Sequence, residues 1–276
     1  MEQKLRFRCP KCKGALTVTD GGAAKCSLGH SYDRAKEGYY NLLLTNKGGD
    51  HGDNAEMVEA RRTFLDTGAY LPLARRVAEL VFEHTRDGGV LLDVGCGEGY
   101  YTHIIADRAR ELGAAVDILG FDISRDAVRR AAKRDRTLSL AVASSYDAPL
   151  ADGAVDTSVN IFSPLALTET ARVLREGGVF IMVIPAERHL FGLKSVLYDT
   201  PYLNTVDSDE LAGFELISRE RISYSLTLDT EAKIRALFMM TPYAYRTSRE
   251  GRERLLSQSR LETEIEFYLF TYRRTK

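Results

Sequence analysis

The segment LLDVGCGEGYYTHIIADRA, residues 91–109, constrains the fold of this chain more than any other. Its apolar run reads as a buried strand, and helical spacing resumes at Tyr100 after a turn of Gly95, Cys96, Gly97, Glu98 and Gly99. A strand that enters a helix through alternate glycines is the first unit of a parallel α/β sheet. Glycine tolerates the positive φ of such a turn and lets a ligand approach the backbone. Cys96, between two of these glycines, reads as a small residue in a crowded turn and not as a nucleophile or ligand.

The alternation continues downstream. Strands are expected at 90–95, 116–123, 138–144, 155–162 and 178–185, with helices at about 100–112, 125–134 and 167–174, and a final strand pair at 221–229 and 264–273. Short connections between such elements imply a parallel sheet covered on both faces. Upstream, AEMVEARRTFLDTG places Met57, Arg61, Phe64 and Leu65 at helical spacing, and LPLARRVAELVFEHT forms a second helix. NKGGDHGDN before them is polar and glycine-rich, a linker in which Asp53 or Asn54 caps the following helix. No apolar run approaches the roughly 18 residues of a membrane span, and MEQKLRFRCPKC lacks a secretory apolar core, so a cytoplasmic protein without a membrane partner is expected.

In an open parallel sheet the ligand lies beyond the carboxyl ends of the strands. Asp122 ends the second strand there, placed to accept hydrogen bonds from ribose hydroxyls. NAD and S-adenosylmethionine both carry such a ribose. Glu98 at the helix start opposes a pyrophosphate, whereas a sulfonium cofactor brings no phosphate to repel. Asp93 is a further carboxylate near the mouth, able to orient the turn or meet the cofactor's ammonium. Together Asp93, Gly95, Gly97, Gly99, Glu98 and Asp122 favour S-adenosylmethionine.

Three of the four cysteines lie in the first 26 residues. Cys9-x2-Cys12 and Cys26-x3-His30, joined by a stretch with a DGG turn at 20–22, have the spacing of one tetrahedral zinc ion, which would supply much of the folding energy of so small a piece. A Cys9–Cys12 disulfide, or cysteines that merely pack, are disfavoured by the pairing and by a reducing compartment; for His30 the plain alternative is a solvent-exposed histidine. The net charge of the whole chain, −1, excludes a molecule coated in basic charge, yet residues 1–50 carry nine Lys/Arg against five acids. Arg6, Arg8, Lys11, Lys13 and Lys25 are therefore candidates for gripping phosphates, with Arg61, Arg62, Arg75 and Arg76 extending the track.

The strand, turn and ribose acid resemble class I S-adenosylmethionine-dependent methyltransferases. The whole chain is similar to the RlmA/TlrB family of 23S rRNA guanine-N1 methyltransferases, through the cysteine module, AKEGYYNLL, AEMVEARRTFLDTGAYLPL, LLDVGCGEGYYT, NIFSP, RHL and MMTPYAYR. The resemblance implies a Rossmann-like seven-stranded sheet with its last strand antiparallel, preceded by a small zinc-binding module. It divides the chain into an RNA-recognition module at 1–45, a linker and connecting helix at 46–70 and the methyltransferase domain at 71–276. It adds Tyr70, Tyr100 and His189 to the cofactor contacts, although without the resemblance the residues favour core aromatics for the tyrosines and a capping or surface histidine for His189.

The substrate implied is a hairpin of 23S rRNA. Methyl transfer to guanine N1 requires extracting the base from its stack and removing a proton. NIFSP ends the fourth strand, so Asn160, Phe162 and Pro164 are the candidate catalytic residues that bind or stack the base; the plain alternative is a polar strand end and a turn. The competing functions are a methyltransferase acting on a small molecule and a non-catalytic zinc-dependent RNA-binding protein. A homodimer is left open.

Overall fold

The computed structural model describes residues 3–44, 55–206 and 210–275; the expected linker and its caps Asp53 and Asn54 lie outside the described residues. The chain begins with β1 (Gln3–Arg8), β2 (Ala15–Val18), β3 (Ala24–Lys25) and β4 (Ser31–Tyr32), an antiparallel ribbon in sequential order, followed by β5 (Tyr40–Asn41). Next come α1 (Ala55–Leu65), α2 (Leu71–His84), β6 (Val90–Val94), α3 (Tyr100–Leu112), β7 (Asp117–Asp122), α4 (Arg125–Arg134) and β8 (Ser139–Val142). The second half contains β9 (Val155–Ile161), α5 (Leu167–Val173), β10 (Leu174–Pro185), α6 (Phe191–Leu197), β11 (Phe214–Leu228), α7 (Glu231–Met239), α8 (Arg249–Leu256) and β12 (Leu261–Arg274).

The main sheet runs in the order β11-β12-β10-β9-β6-β7-β8-β5. From β10 to β5 the strands are parallel, and β12 inserts antiparallel between β10 and β11, as expected of a class I methyltransferase. The strand count departs from the expected seven. The eighth, β5, comes from the end of the N-terminal module: Tyr40 pairs with Ala141 and Asn41 with Val142. Two residues between Tyr39 and Leu42 carry no alternation long enough to be read as a strand, so only the edge of β8 selects this pairing.

Successive residues of a strand face opposite sides, and β6 shows the consequence. Leu91 packs with α1, α2, α6 and α7, while Leu92 packs on the other face with Phe121, Ala141 and Phe180. That second face is covered largely by the N-terminal module, whose buried Phe7, Leu16, Tyr40 and Leu42 join the same apolar cluster. Burial of each such side chain contributes about 1.5–3 kcal/mol. The module is thus a layer of the fold, filling a place that helices usually occupy in parallel sheets.

Candidate functional site

The metal centre is built by two turns of the ribbon. The Sγ atoms of Cys9, Cys12 and Cys26 and a ring nitrogen of His30 all lie within 4.8 Å of one another. His30 Nδ1 is 3.4 Å from Cys9 Sγ and 3.3 Å from Cys26 Sγ, and the Cys12 and Cys26 sulfurs are 3.6 Å apart. Donors at zinc bonding distance in a tetrahedron stand about 3.4–3.8 Å apart, so the set fits one structural zinc ion. Its outer support is Tyr32, which the sequence did not flag: the hydroxyl lies 3.2 Å from Cys9 Sγ. Burial pushes the Cys9 thiol up, but hydrogen bonds from Tyr32 and from the backbone at Cys12 and Lys11 outweigh it and bring it down to about 6. A thiolate suited to a metal results.

The second centre is the glycine turn, where three glycines have three different reasons to be glycine. All have positive φ: +75° at Gly95, +55° at Gly97 and +82° at Gly99. A Cβ on Gly95 would stand 2.5 Å from Ser163 Cβ, and one on Gly99 would stand 2.8 Å from Ala131 Cβ in α4. A Cβ on Gly97 would meet nothing within 4 Å. The turn is therefore packed on its flanks and open in its middle, the form of a cradle.

Asp122 reaches the cradle from β7, its Oδ2 accepting the Gly97 N–H at 3.0 Å and its Oδ1 the Ser124 N–H at 2.8 Å. Asp93 lies deeper, accepting from the Thr102 hydroxyl at 2.5 Å; burial raises its carboxyl to about 7, against the pull of Thr102. The expectation for Glu98 is corrected. Its side chain is 1% exposed and bound by Arg134 of α4 at 2.7 Å, and Arg134 also holds Asp66 at 2.9 Å. The neighbouring guanidinium offsets the charge that was expected to repel a phosphate, so Glu98 braces α4 against the turn. A contact between positions 98 and 134 has no signature in sequence spacing.

The candidate base-binding segment lies beside the cradle. Ser163 Oγ donates to the Val94 carbonyl at 2.8 Å, and Asn160, buried on β9, directs its amide to the Pro164 carbonyl at 3.4 Å. Phe162 is left-handed, φ +58°, and 42% exposed, a costly conformation for an aromatic residue that turns its ring out of the strand. The ring lies in an aromatic cluster with Tyr70, Tyr101 and Phe267, at centroid distances of 6.4, 6.2 and 5.0 Å. Tyr101 and Phe267 were not foreseen, because both lie in ordinary apolar patterns.

Tyr70 and His189 meet in this cluster, Tyr70 Oη lying 3.3 Å from His189 Nε2. The Glu266 N–H donates to His189 Nδ1 at 3.3 Å, leaving the ring proton on Nε2. Burial, with the Lys194 charge nearby, lowers the His189 imidazolium to about 3, so the ring is neutral. Tyr100 is buried at the start of α3, edge-on to Tyr101 and 5.7 Å from the Arg134 guanidinium. The zinc ligands are separate from this assembly. Several basic residues expected to face phosphates also hold the protein together: Arg6 pairs with Asp117 at 2.6 Å, Lys13 with Asp147 at 2.5 Å, and Arg76 with Glu220, Glu79 and Glu83.

Sequence comparison matches two segments of the chain to known families. A family model described as "RlmA, N-terminal" matches residues 7–47, and one described as "Methyltransferase domain" matches residues 85–221. A Streptomyces fradiae protein named 23S rRNA (guanine(748)-N(1))-methyltransferase is 36% identical over 245 residues, covering 84% of each chain. A Bacillus subtilis (strain 168) protein provisionally named 23S rRNA (guanine-N(1)-)-methyltransferase is 34% identical over 249 residues, 87% of this chain and 86% of that one.

The chain belongs to the RlmA/TlrB family of 23S rRNA (guanine-N1)-methyltransferases.

The solved YcgJ protein of Bacillus subtilis aligns at a TM-score of 0.47 with 17% identity, covering 75% of this chain and 98% of that one. Within the family, the ribbon and the glycine turn are the two matched modules, and this member is an S-adenosylmethionine-dependent methyltransferase with a structural zinc site. Among the described residues no helix is long and apolar enough to cross a membrane.

Proposed function

We propose that this protein transfers the methyl group of S-adenosylmethionine to N1 of a guanine in a hairpin of 23S rRNA. The observation that carries the reading is the joining, in one chain, of a zinc-stapled ribbon to a cradle whose open centre is Gly97, in a protein similar over most of its length to enzymes named for that reaction. The cofactor supplies an electrophilic methyl on a positively charged sulfur.

The chain's own residues bind and orient. Gly95, Gly97 and Gly99 admit the adenosyl group to the backbone, Asp122 accepts from the ribose hydroxyls, and Asp93 lies behind the turn as a buried acid. Tyr70, Tyr100 and His189 wall the site. Asn160 and Pro164 flank Phe162, whose exposed ring offers a face to an extruded guanine, while the surrounding aromatics keep water from the line of displacement. His189 is not the base that takes the N1 proton. Its Nδ1 accepts from Glu266 and its Nε2 faces Tyr70. Exposed Lys11 and Lys25, with Arg8, remain the phosphate contacts of the ribbon.

The test is incubation with methyl-labelled S-adenosylmethionine and unmodified 23S rRNA, followed by mapping of the label. Label at N1 of a hairpin guanine is expected. Transfer only to small metabolites would replace this reading with the small-molecule one.

A further inference from the structure

Lys194 of α6 is fully buried, and the hydrogen-bond acceptors its ammonium meets among the described residues are neutral oxygens. Its ammonium donates to the Tyr202 carbonyl at 3.1 Å and to Asn204 Oδ1 at 2.6 Å, and it lies 4.4 Å from the centroid of the Tyr202 ring. Burying a cation without a counter-charge is expensive, and an apolar side chain would fill the same space more cheaply. What the lysine accomplishes is to fix the segment 198–206. Asn204 extends the clamp, its amide donating to the carbonyls of Ala186 and His189 at 2.8 and 3.4 Å and its N–H to Glu187 at 2.8 Å. The segment is therefore tied to the backbone that carries His189, beside Tyr70 and the aromatic cluster.

The residue held by this clamp points outward. Tyr202 is 50% exposed, with Lys194 on its ring and Tyr198 beside it at 5.6 Å; Arg246 is close enough to act on its phenol electrostatically. An exposed aromatic ring with a cation on one face is the form that unpaired bases stack upon, since every base has a π-face and every nucleotide a phosphate. Association with a second copy is the weaker reading: exposed Tyr202 and Leu203 make a patch far short of the roughly 800 Å² per partner of a stable interface.

We propose that Tyr202 is a stacking platform for an unpaired nucleotide of the RNA next to the target guanine, and that Lys194 is its positioning residue. The proposal rests on the RNA reading above and adds a contact that neither the zinc ribbon nor the cofactor cradle supplies.

The chain contains no tryptophan, so Tyr202→Trp introduces a single tryptophan at the platform, excited selectively over the tyrosines. Titration of that variant with an unmodified 23S rRNA transcript is expected to quench its emission, and an equal concentration of inorganic phosphate is expected to leave it unchanged. In kinetics with the same transcript, Tyr202→Ala should raise the RNA KM about tenfold while S-adenosylmethionine Kd stays within twofold, and Tyr202→Phe should restore the KM. Lys194→Met should raise the RNA KM in the same direction without changing kcat at saturating RNA. A transcript methylated with unchanged KM by Tyr202→Ala, or binding without quenching, overturns the platform and leaves the RNA reading intact. Wild-type protein that binds S-adenosylmethionine but methylates no transcript removes both. A change of sedimentation coefficient on Tyr202→Ala, with RNA kinetics unaltered, reassigns the patch to self-association.

Discussion

Adding one methyl group to the glycine turn at either of two neighbouring positions should produce opposite defects. In Gly95→Ala the backbone keeps φ near +75°, which costs an L-residue about 1–2 kcal/mol. The new Cβ meets Ser163 Cβ at 2.5 Å and Oγ at 2.6 Å, so Ser163 must move and give up its hydrogen bond to Val94. Overpacking of that kind costs about 1–3 kcal/mol, and the lost bond about 1 kcal/mol. The sum, about 3–6 kcal/mol, lowers Tm by at least about 6 °C in a domain of this size.

Gly97→Ala, with φ +55° and no atom within 4 Å of the new Cβ, incurs the backbone cost alone, about 1–2 kcal/mol. Its methyl instead enters the open centre of the turn, the proposed cofactor cradle, so calorimetric Kd for S-adenosylmethionine should rise about tenfold or more, equivalent to about 1.4 kcal/mol. Thermal melts and titrations of the two variants separate the effects. A Gly97→Ala protein that binds S-adenosylmethionine with wild-type affinity would refute the cradle, whatever its Tm.

Three further outcomes are expected. Chelation of zinc, or Cys12→Ser, should lower the Tm of the whole protein in a single calorimetric transition, because Phe7, Leu16, Tyr40 and Leu42 share a core with β6, β7 and β8; a separate low transition with an unchanged main one would mean the ribbon is independent. Arg134→Met should destabilise by about 3–5 kcal/mol in urea unfolding by leaving the buried Glu98 carboxylate unpaired, and Glu98→Gln added to it should recover most of the loss; additive losses would contradict the pair. Asp93 gives a pH test. Its folded-state pKa of about 7 lies above the ordinary 3.8, so between these values the native state holds a proton that the unfolded state has released, and this group's contribution falls as pH rises from about 4 to about 7. The Tm difference between wild type and Asp93→Asn in the absence of cofactor should move in that sense across the window and flatten above it; a pH-independent difference would show Asp93 ionised throughout.

Much of the site was legible because local chemistry demands particular residues at short range. A tight turn favours glycine where φ is positive, and a metal knuckle needs thiolates with two residues between them, so Gly95 to Gly99 and Cys9 with Cys12 announce themselves. Glu98 marks the limit of such reading. Its place in the glycine turn is legible, but its role is not, since Arg134 lies a strand and a helix away and only the packing of α4 on α3 brings it there. Tyr101, Phe267 and Tyr32 were hidden for the same reason: each acquires its role from a neighbour distant in the chain.

Periodicity and turn chemistry alone determined the alternating parallel sheet, the cysteine and histidine cluster and the glycine turn at the end of β6, because these arise from interactions within one or two elements. Tertiary structure decided that the N-terminal module covers a sheet face and lends it an eighth strand, that Tyr70, Phe162 and His189 converge, and that a buried lysine presents Tyr202. Those outcomes depend on which surfaces meet once apolar area is buried, a quantity set by the whole chain and by no short stretch of it.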